Sequence, residues 1–186
     1  MAKSEPTIPE IESEIVELLR TEELSSLATI DSEGRPSAAR MHLAGDGVVV
    51  YMHTFKNTRK CDHIQHNPNV SYEIAYLPPD GFYGRFTTRS LQVQGLATMV
   101  TDLEEIRHAS KISLEQFPWA SDTSLFDNIK TPDRGMQIFY RIDPVQGLWA
   151  DARIGLTYRA LLEFSKDGKS IANVSPYKSA RAHGSS

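Results

Sequence analysis

Most of this chain consists of short segments in which apolar and polar residues alternate, separated by turns that contain glycine or proline. Such alternation is typical of strands that bury one face. The segments are 24–31, 36–43, 48–53, 70–76, 90–100, 136–142, 145–152, 158–164 and 171–174. They do not alternate regularly with helices, so a parallel sheet is disfavoured and an antiparallel one is expected. The pattern predicts a fold that is mainly β with peripheral helices (α+β), a closed or partly closed barrel of six to eight strands.

Within that pattern the first three segments predict a three-strand meander with turns at Gly34 and at 45–47. Helical spacing is found at 8–22, 57–66 and 102–116, and a shorter helix is expected at 123–129. The predicted domain organisation is an N-terminal helix (1–23) packed on the same domain, a barrel (24–175) and a flexible tail (176–186).

Composition limits the functional classes. The chain has 186 residues, a formal net charge of −4 and one cysteine, Cys61. This charge does not favour nucleic-acid binding, and a single cysteine forms no internal disulfide. With no apolar signal segment and no run of about 18 apolar residues, we expect a cytoplasmic protein outside the membrane. The six histidines form no recognised metal motif, so no metal site is predicted.

The segment from Tyr51 to Val70 carries the strongest chemical signal. A predicted strand ends at His53 and Thr54, and a short turn leads to Thr58, Arg59 and Lys60 at the start of a helix. Helix N-termini bind anions through free amides, and Arg, Lys and Thr add donors. These residues predict a phosphate cradle. The alternative is that Arg59 and Lys60 are solvated helix residues.

Residues 24–160 resemble the pyridoxamine-phosphate-oxidase-like family, the FMN-binding split β-barrels. The resemblance rests on Leu-Ala-Thr-Ile-Asp-Ser-Glu-Gly-Arg-Pro (27–36), Ala-Arg-Met-His-Leu (39–43), the Thr-Arg-Lys turn and His-Asn-Pro-Asn-Val (66–70). It implies an antiparallel split β-barrel that forms a homodimer with FMN at the interface. It also implies cofactor-binding roles for Arg40, Met41, His42, His53, Thr54, Thr58, Arg59 and Lys60.

Two further strands add cofactor candidates. Ser90, Gln92 and Gln94 share one face of their strand, because side chains alternate. This polar face could meet a flavin edge or simply face solvent. The resemblance further implies that Trp149 reaches the cofactor across the dimer interface and that Arg159 follows it, with Arg153 as a competitor. The alternative for Trp149 is a core or interface aromatic.

The chain departs from the oxidase where that enzyme carries an Arg-x-His pair for its substrate. Gly155 and Thr157 occupy the corresponding positions. We therefore expect an FMN-dependent oxidoreductase that transfers hydride to or from a small molecule, without efficient pyridoxamine-phosphate oxidation. No catalytic acid or base is identified. The alternatives are a deazaflavin-dependent reductase on the same fold, and a non-catalytic protein that binds flavin or haem. For haem, His42 or His53 would be the candidate axial ligand.

Overall fold

The computed structural model of the protein describes residues 5–122 and 135–177, except for the side chain of Phe82. These residues form three α-helices: α1 (Ile8–Thr21), α2 (Arg59–His66) and α3 (Leu103–Gln116). They also form nine strands: β1 (Ser25–Ile30), β2 (Pro36–Met41), β3 (Leu43–Asp46), β4 (Val49–Phe55), β5 (Asn69–Tyr76), β6 (Arg89–Met99), β7 (Gln137–Asp151), β8 (Arg159–Phe164) and β9 (Ile171–Pro176). Short 3₁₀ turns cover Gly81–Thr87 and Pro118–Asp122. The helix expected at 123–129 and residues 178–186 of the expected tail lie outside the described residues.

All nine strands belong to one antiparallel sheet that divides at β7. The order is β2-β1-β5-β6-β7-β4-β3, with β8 also on β7 and β9 on β8. On one edge of β7, the first half of the strand pairs with β4 and the second half with β8. On its other edge, β7 pairs with β6 over the full length of β6. The predicted split barrel is confirmed, with nine strands in place of six to eight.

The two segments 136–142 and 145–152 are one strand, which corrects the predicted break between them. Pro144 lies between the residues of β7 that pair with β4 and those that pair with β8, so its missing N–H costs no hydrogen bond on that side. Opposite it on β6, the register shifts between Gln94 and Gly95. This bulge accommodates the change of register at Pro144, and β7 continues past it as one strand.

The predicted meander is wrong in part, because segment 36–43 is divided between two strands. β2 pairs with β1, whereas β3 begins at Leu43, pairs with β4 and lies at the opposite end of the strand order. The turn into β4 is at Gly47, whose φ is +63°. Gly45, which the sequence placed in the turn, lies in β3, where an added Cβ would come 2.9 Å from the Leu19 carbonyl oxygen. Close packing against α1 therefore explains this glycine.

The main core lies between the inner faces of the sheet and α1. The predicted apolar stripe of α1 is buried there: Ile11, Ile15, Leu18 and Leu19. A second core forms on the outer face of β4, where Tyr51 and Phe139 meet Ile106 and Ala109 of α3. Among the described helices, the longest of which have 14 residues, none has the length and apolar content of a membrane span. One helix thus lines the inside of the barrel and another covers the outside of β4.

Candidate functional site

α2 follows directly after β4 and is fixed to the barrel by its apolar face. Cys61 and Ile64 are buried in the main core. The Cys61 thiol donates to the Phe55 carbonyl oxygen at 3.2 Å, and His63 Nδ1 lies 2.9 Å from the hydroxyl of Thr29 on β1. These contacts hold the first turn of α2 at the end of β4, where the sequence places the phosphate cradle.

Arg59 and Lys60 occupy the first turn of α2 side by side. Arg59 is exposed and Lys60 is half-buried. Neither side chain forms a hydrogen bond or an ion pair with any residue that the structure describes. The first amides of a helix also lack intrahelical partners, so this turn offers backbone donors as well as two cations. The donors present suit a phosphate group.

The two threonines of the predicted cradle are already engaged or turned away. Thr58 precedes the first helical residue, and its hydroxyl donates to the Phe55 carbonyl oxygen at 3.1 Å. It would have to rotate to donate to a ligand. Thr54 is buried, and it lies on the face of β4 opposite to His53 since neighbouring side chains alternate. Arg59 and Lys60 are therefore the available side chains of this group.

A cavity of about 100 Å³ near the end of β4 gathers the remaining predicted residues of this end of the barrel. Arg40, Met41, His42 and His53 all line it. The register of β3 with β4 sets Leu43 opposite Met52, so the chain before β3 runs alongside the end of β4. This antiparallel arrangement brings residues 40–42 to His53, immediately before the α2 turn.

The other walls of the cavity come from residues that the sequence analysis missed. Phe117 and Trp119 follow the end of α3, and both rings contact the His42 imidazole edge-on with centroids 5.4 Å away. Tyr51, Ala44, Ser113 and Ala120 complete the lining. Two aromatics around Pro118 at a helix end are a local signal, but their meeting with His42 depends on where α3 packs.

His53 contributes a neutral imidazole to this cavity near pH 7. Burial lowers the pKa of His53, and a hydrogen bond with the Gln137 side chain opposes that shift only in part. The ring also packs on Phe139, with centroids 5.5 Å apart. A neutral, partly buried ring is suited to packing against an aromatic ligand rather than to holding an anion.

Gln92, Gln94 and Arg159 lie elsewhere, on the outer face of the sheet. Gln92 and Gln94 are exposed, and Leu91 and Val93 between them are buried, as the alternation predicts. Gln94 accepts a hydrogen bond from the amide of Gln146. Arg159 is exposed at the start of β8, where it pairs with Ala150. The structure does not bring these three to the α2 cradle of the same chain.

Trp149 lies on the inner face of the sheet. It pairs with Leu91, is 1% exposed and belongs to the main core. In the single chain Trp149 is a core aromatic that also lines a cavity beside α1, and its expected role at a cofactor across the dimer interface stays a prediction. Arg153, the competitor of Arg159, forms ion pairs with Asp151 at 2.6 Å and Glu14 at 2.5 Å. These contacts tie α1 to the end of β7.

Within the described residues, no three side chains of His, Cys, Asp and Glu converge in a way that would hold a metal ion.

Comparisons with known proteins agree with this architecture. The chain is 33% identical over 67 residues to general stress protein 26 of Bacillus subtilis (strain 168), an alignment covering 36% of this chain and 47% of that protein. It thus spans about half of that curated relative. The conserved hypothetical protein Rv2991 of Mycobacterium tuberculosis superimposes with a TM-score of 0.62 at 19% identity, covering 77% of this chain and 86% of the other.

A heme binding protein from Mycobacterium smegmatis also superimposes with a TM-score of 0.62, at 13% identity, covering 83% of this chain and 62% of the other. At such identities the two solved structures show a shared fold. The sequence model of the family described as pyridoxamine 5'-phosphate oxidase matches residues 11–146, which include the β4–α2 cradle and the residues around the cavity. The chain therefore belongs to the pyridoxamine 5'-phosphate oxidase family.

Proposed function

We propose that this protein binds FMN and is an oxidoreductase acting on a small molecule. The observation that carries the proposal is the pair Arg59 and Lys60 on the first turn of α2. Both lack a partner among the described residues, and they follow β4, whose His53 lines a cavity together with Arg40 and His42. Membership of the oxidase family supports the choice of a flavin nucleotide as the ligand.

In this proposal each group of residues has a separate task. Arg59, Lys60 and the first amides of α2 bind the phosphate. Residues 40–42 and His53 position the ring system over the mouth of the cavity, whose volume is about 100 Å³. FMN, when bound, supplies hydride transfer. The chain contributes binding and orientation, and we assign no acid or base.

The substrate is not expected to be pyridoxamine phosphate. Gly155 and Thr157 replace the Arg and His with which the oxidase is expected to hold that substrate. Glycine offers no side chain and threonine no charge, so the second phosphate would lack a cation there. A different reaction partner is therefore proposed.

We further propose that the working form is a homodimer joined through the outer face of β6, β7 and β8. Three large apolar side chains are exposed on or beside this face: Leu96 (43%), Val145 (53%) and Leu161 (43%). The described helices pack against other parts of the sheet. In a dimer this face would bring Gln92, Gln94 and Arg159 against the partner chain. They would then be in a position to contact a cofactor bound at the interface, as their expected role requires.

The decisive experiment is a titration of the purified protein with FMN, followed by flavin absorption and fluorescence. We expect saturable binding. The double variant Arg59→Ala/Lys60→Ala should raise the Kd at least a hundredfold, since each charge-assisted hydrogen bond is worth about 1.5–3 kcal/mol.

A matched control removes two exposed lysines from the β8–β9 turn, in the variant Lys166→Ala/Lys169→Ala. Its Kd for FMN should stay within twofold of the parent. An unchanged Kd in the Arg59/Lys60 variant would contradict the phosphate assignment. Saturation by the deazaflavin cofactor alone would replace FMN with that cofactor, and a Soret band after haem titration would favour the haem-binding alternative.

A further inference from the structure

The cavity near the end of β4 is walled on one side by three aromatic rings. His42, Phe117 and Trp119 contact one another, with centroids 5.4 to 6.2 Å apart. His53 and Met41 line it as well. Aromatic rings prefer edge-to-face or offset-stacked contacts. The faces and edges of this wall that are not in mutual contact can meet a further flat ring in that way.

The aromatic wall is held in place by polar contacts. The indole N–H of Trp119 donates to Glu23 Oε1 at 2.7 Å. Phe117 is 5% exposed and follows Gln116, whose side chain bonds to the Gly45 amide at 2.9 Å and the Leu19 carbonyl at 2.9 Å. A wall that is fixed before the ligand arrives reduces the ordering cost of binding.

The charge around the cavity points to a monoanion. Arg40 is the one permanent cation among the described residues that line it, and its exposed guanidinium forms no hydrogen bond or ion pair with the described part of the chain. The Glu23 carboxylate accepts from the Trp119 indole and lies 3.9 Å from His42 Nδ1, and it is not one of the residues that line the cavity. A single guanidinium matches one carboxylate through a two-bond fork, whereas a phosphate dianion calls for a second cation.

The size of the cavity selects a single ring. Its volume is about 100 Å³. This is about two thirds of the roughly 150 Å³ of an apolar cavity that encloses benzene, so one six-membered ring would enter from the open side and be enclosed in part. The three fused rings of a flavin exceed this space, and the cofactor of the proposed function would lie over the mouth.

We propose that this cavity binds the ring of a single-ring aromatic carboxylate, with the ring against Phe117, Trp119 and His42 and the carboxylate on Arg40. This assignment names the class of substrate for the proposed oxidoreductase, and it therefore rests on the proposed function. The ring would then lie between the aromatic wall and the bound flavin.

The test uses two probes, benzoate and the neutral benzyl alcohol, titrated into the parent and its variants and followed by ligand-observed NMR. Arg40→Gln should weaken benzoate binding at least tenfold and change benzyl alcohol binding less than twofold. Trp119→Ala should weaken both probes at least tenfold. Because Arg40 is exposed, its variant is expected to fold even if the tryptophan variant does not.

Matched controls lie on α3, at exposed Arg107 and Leu103. Arg107→Gln and Leu103→Ala should leave both probes unchanged within twofold. The proposal is overturned if benzoate does not saturate the parent, or if Arg40→Gln weakens the two probes equally.

A competition experiment separates this proposal from the proposed function. Saturating benzoate should change the Kd for FMN less than twofold, because the flavin is proposed to lie over the mouth of the cavity with its phosphate on α2, which leaves the cavity open to the ring. Displacement of FMN by benzoate would assign the cavity to the flavin itself and overturn the inference. FMN binding without benzoate binding would overturn the inference alone, and benzoate binding without FMN binding would overturn the proposed function.

Discussion

At the scale of single residues, position within the fold decides which predicted side chains remain available for chemistry. Arg59 and Trp149 were both candidates for cofactor binding. Arg59 lies exposed with no described partner, whereas Trp149 is 1% exposed among core residues. Alternation along β7 turns the tryptophan inward, and the cofactor-binding role of both residues stays a prediction. Availability, rather than residue type, distinguishes the two.

His53 yields a prediction about pH. Burial lowers its pKa in the folded protein, so the unfolded chain binds the proton more readily. The contribution of neutral His53 to stability is complete above the unfolded pKa of about 6.5 and is lost as pH falls toward the lower folded value. As pH falls below about 6.5, the free energy of unfolding should therefore fall through this one group.

The measurement is urea unfolding at pH 7, 6 and 5 for the parent and for His53→Gln. The variant should lose stability less steeply on acidification, because its amide does not titrate. His66→Gln serves as the control, since His66 is exposed at the end of α2. Equal slopes in the parent and His53→Gln would show that His53 titrates alike in the folded and unfolded chain.

At the scale of secondary-structure elements, the end of α3 is the junction that builds the aromatic wall. The Gln116 side chain donates to the carbonyls of Leu19 at 2.9 Å and Leu43 at 3.2 Å and accepts from the Gly45 amide at 2.9 Å. One amide thus joins α3 to α1 and β3. Asp102 begins the same helix by accepting from the amides of Glu104 and Glu105, which the sequence had indicated.

We expect Gln116→Leu to destabilise the protein by about 2–4 kcal/mol. The substitution leaves at least two partly buried backbone groups without partners, each costing about 1–3 kcal/mol. Urea unfolding measures this change, and benzoate binding should weaken in parallel because Phe117 and Trp119 lose their support. Gln65→Leu on exposed α2 surface is the control and should change stability by less than about 0.5 kcal/mol. A Gln116 variant as stable as that control would refute the bridging role.

At the scale of the whole molecule, the divided sheet separates two surfaces. The α2 cradle and the cavity lie at one end, while Gln92, Gln94 and Arg159 lie on the outer face of β6 to β8. One chain does not bring these groups together. The homodimer proposed above is the arrangement that would do so.

Leu161→Glu tests that arrangement, because it adds a charge to the middle of the proposed interface, where Leu161 is 43% exposed and pairs with Leu148. A stable interface buries about 800 Å² on each partner, and an unpaired charge within it is costly. Light scattering after size exclusion should show a dimer for the parent and a monomer for the variant, and FMN affinity should fall with dissociation. Leu103→Glu, at a site 49% exposed on α3, should remain dimeric. A monomeric parent would refute the proposal.

The sequence by itself determined what depends on near neighbours. Alternating residues located the strands, Asp102 and Thr58 marked helix starts, and glycines such as Gly34, with a φ of +80°, marked turns. The cation pair at Arg59 and Lys60 was visible because both residues are adjacent in the chain. These features follow from backbone conformation and side-chain chemistry within a few residues.

Only the tertiary structure decided which distant segments meet and which face of a strand is inward. It joined β7 across Pro144, moved β3 to the opposite end of the strand order from β2, and buried Trp149. It also placed Phe117 and Trp119 against His42, a residue about 75 positions away in the chain. Such contacts depend on packing and sheet register. Both are determined by interactions throughout the core, and these leave no local pattern in the sequence.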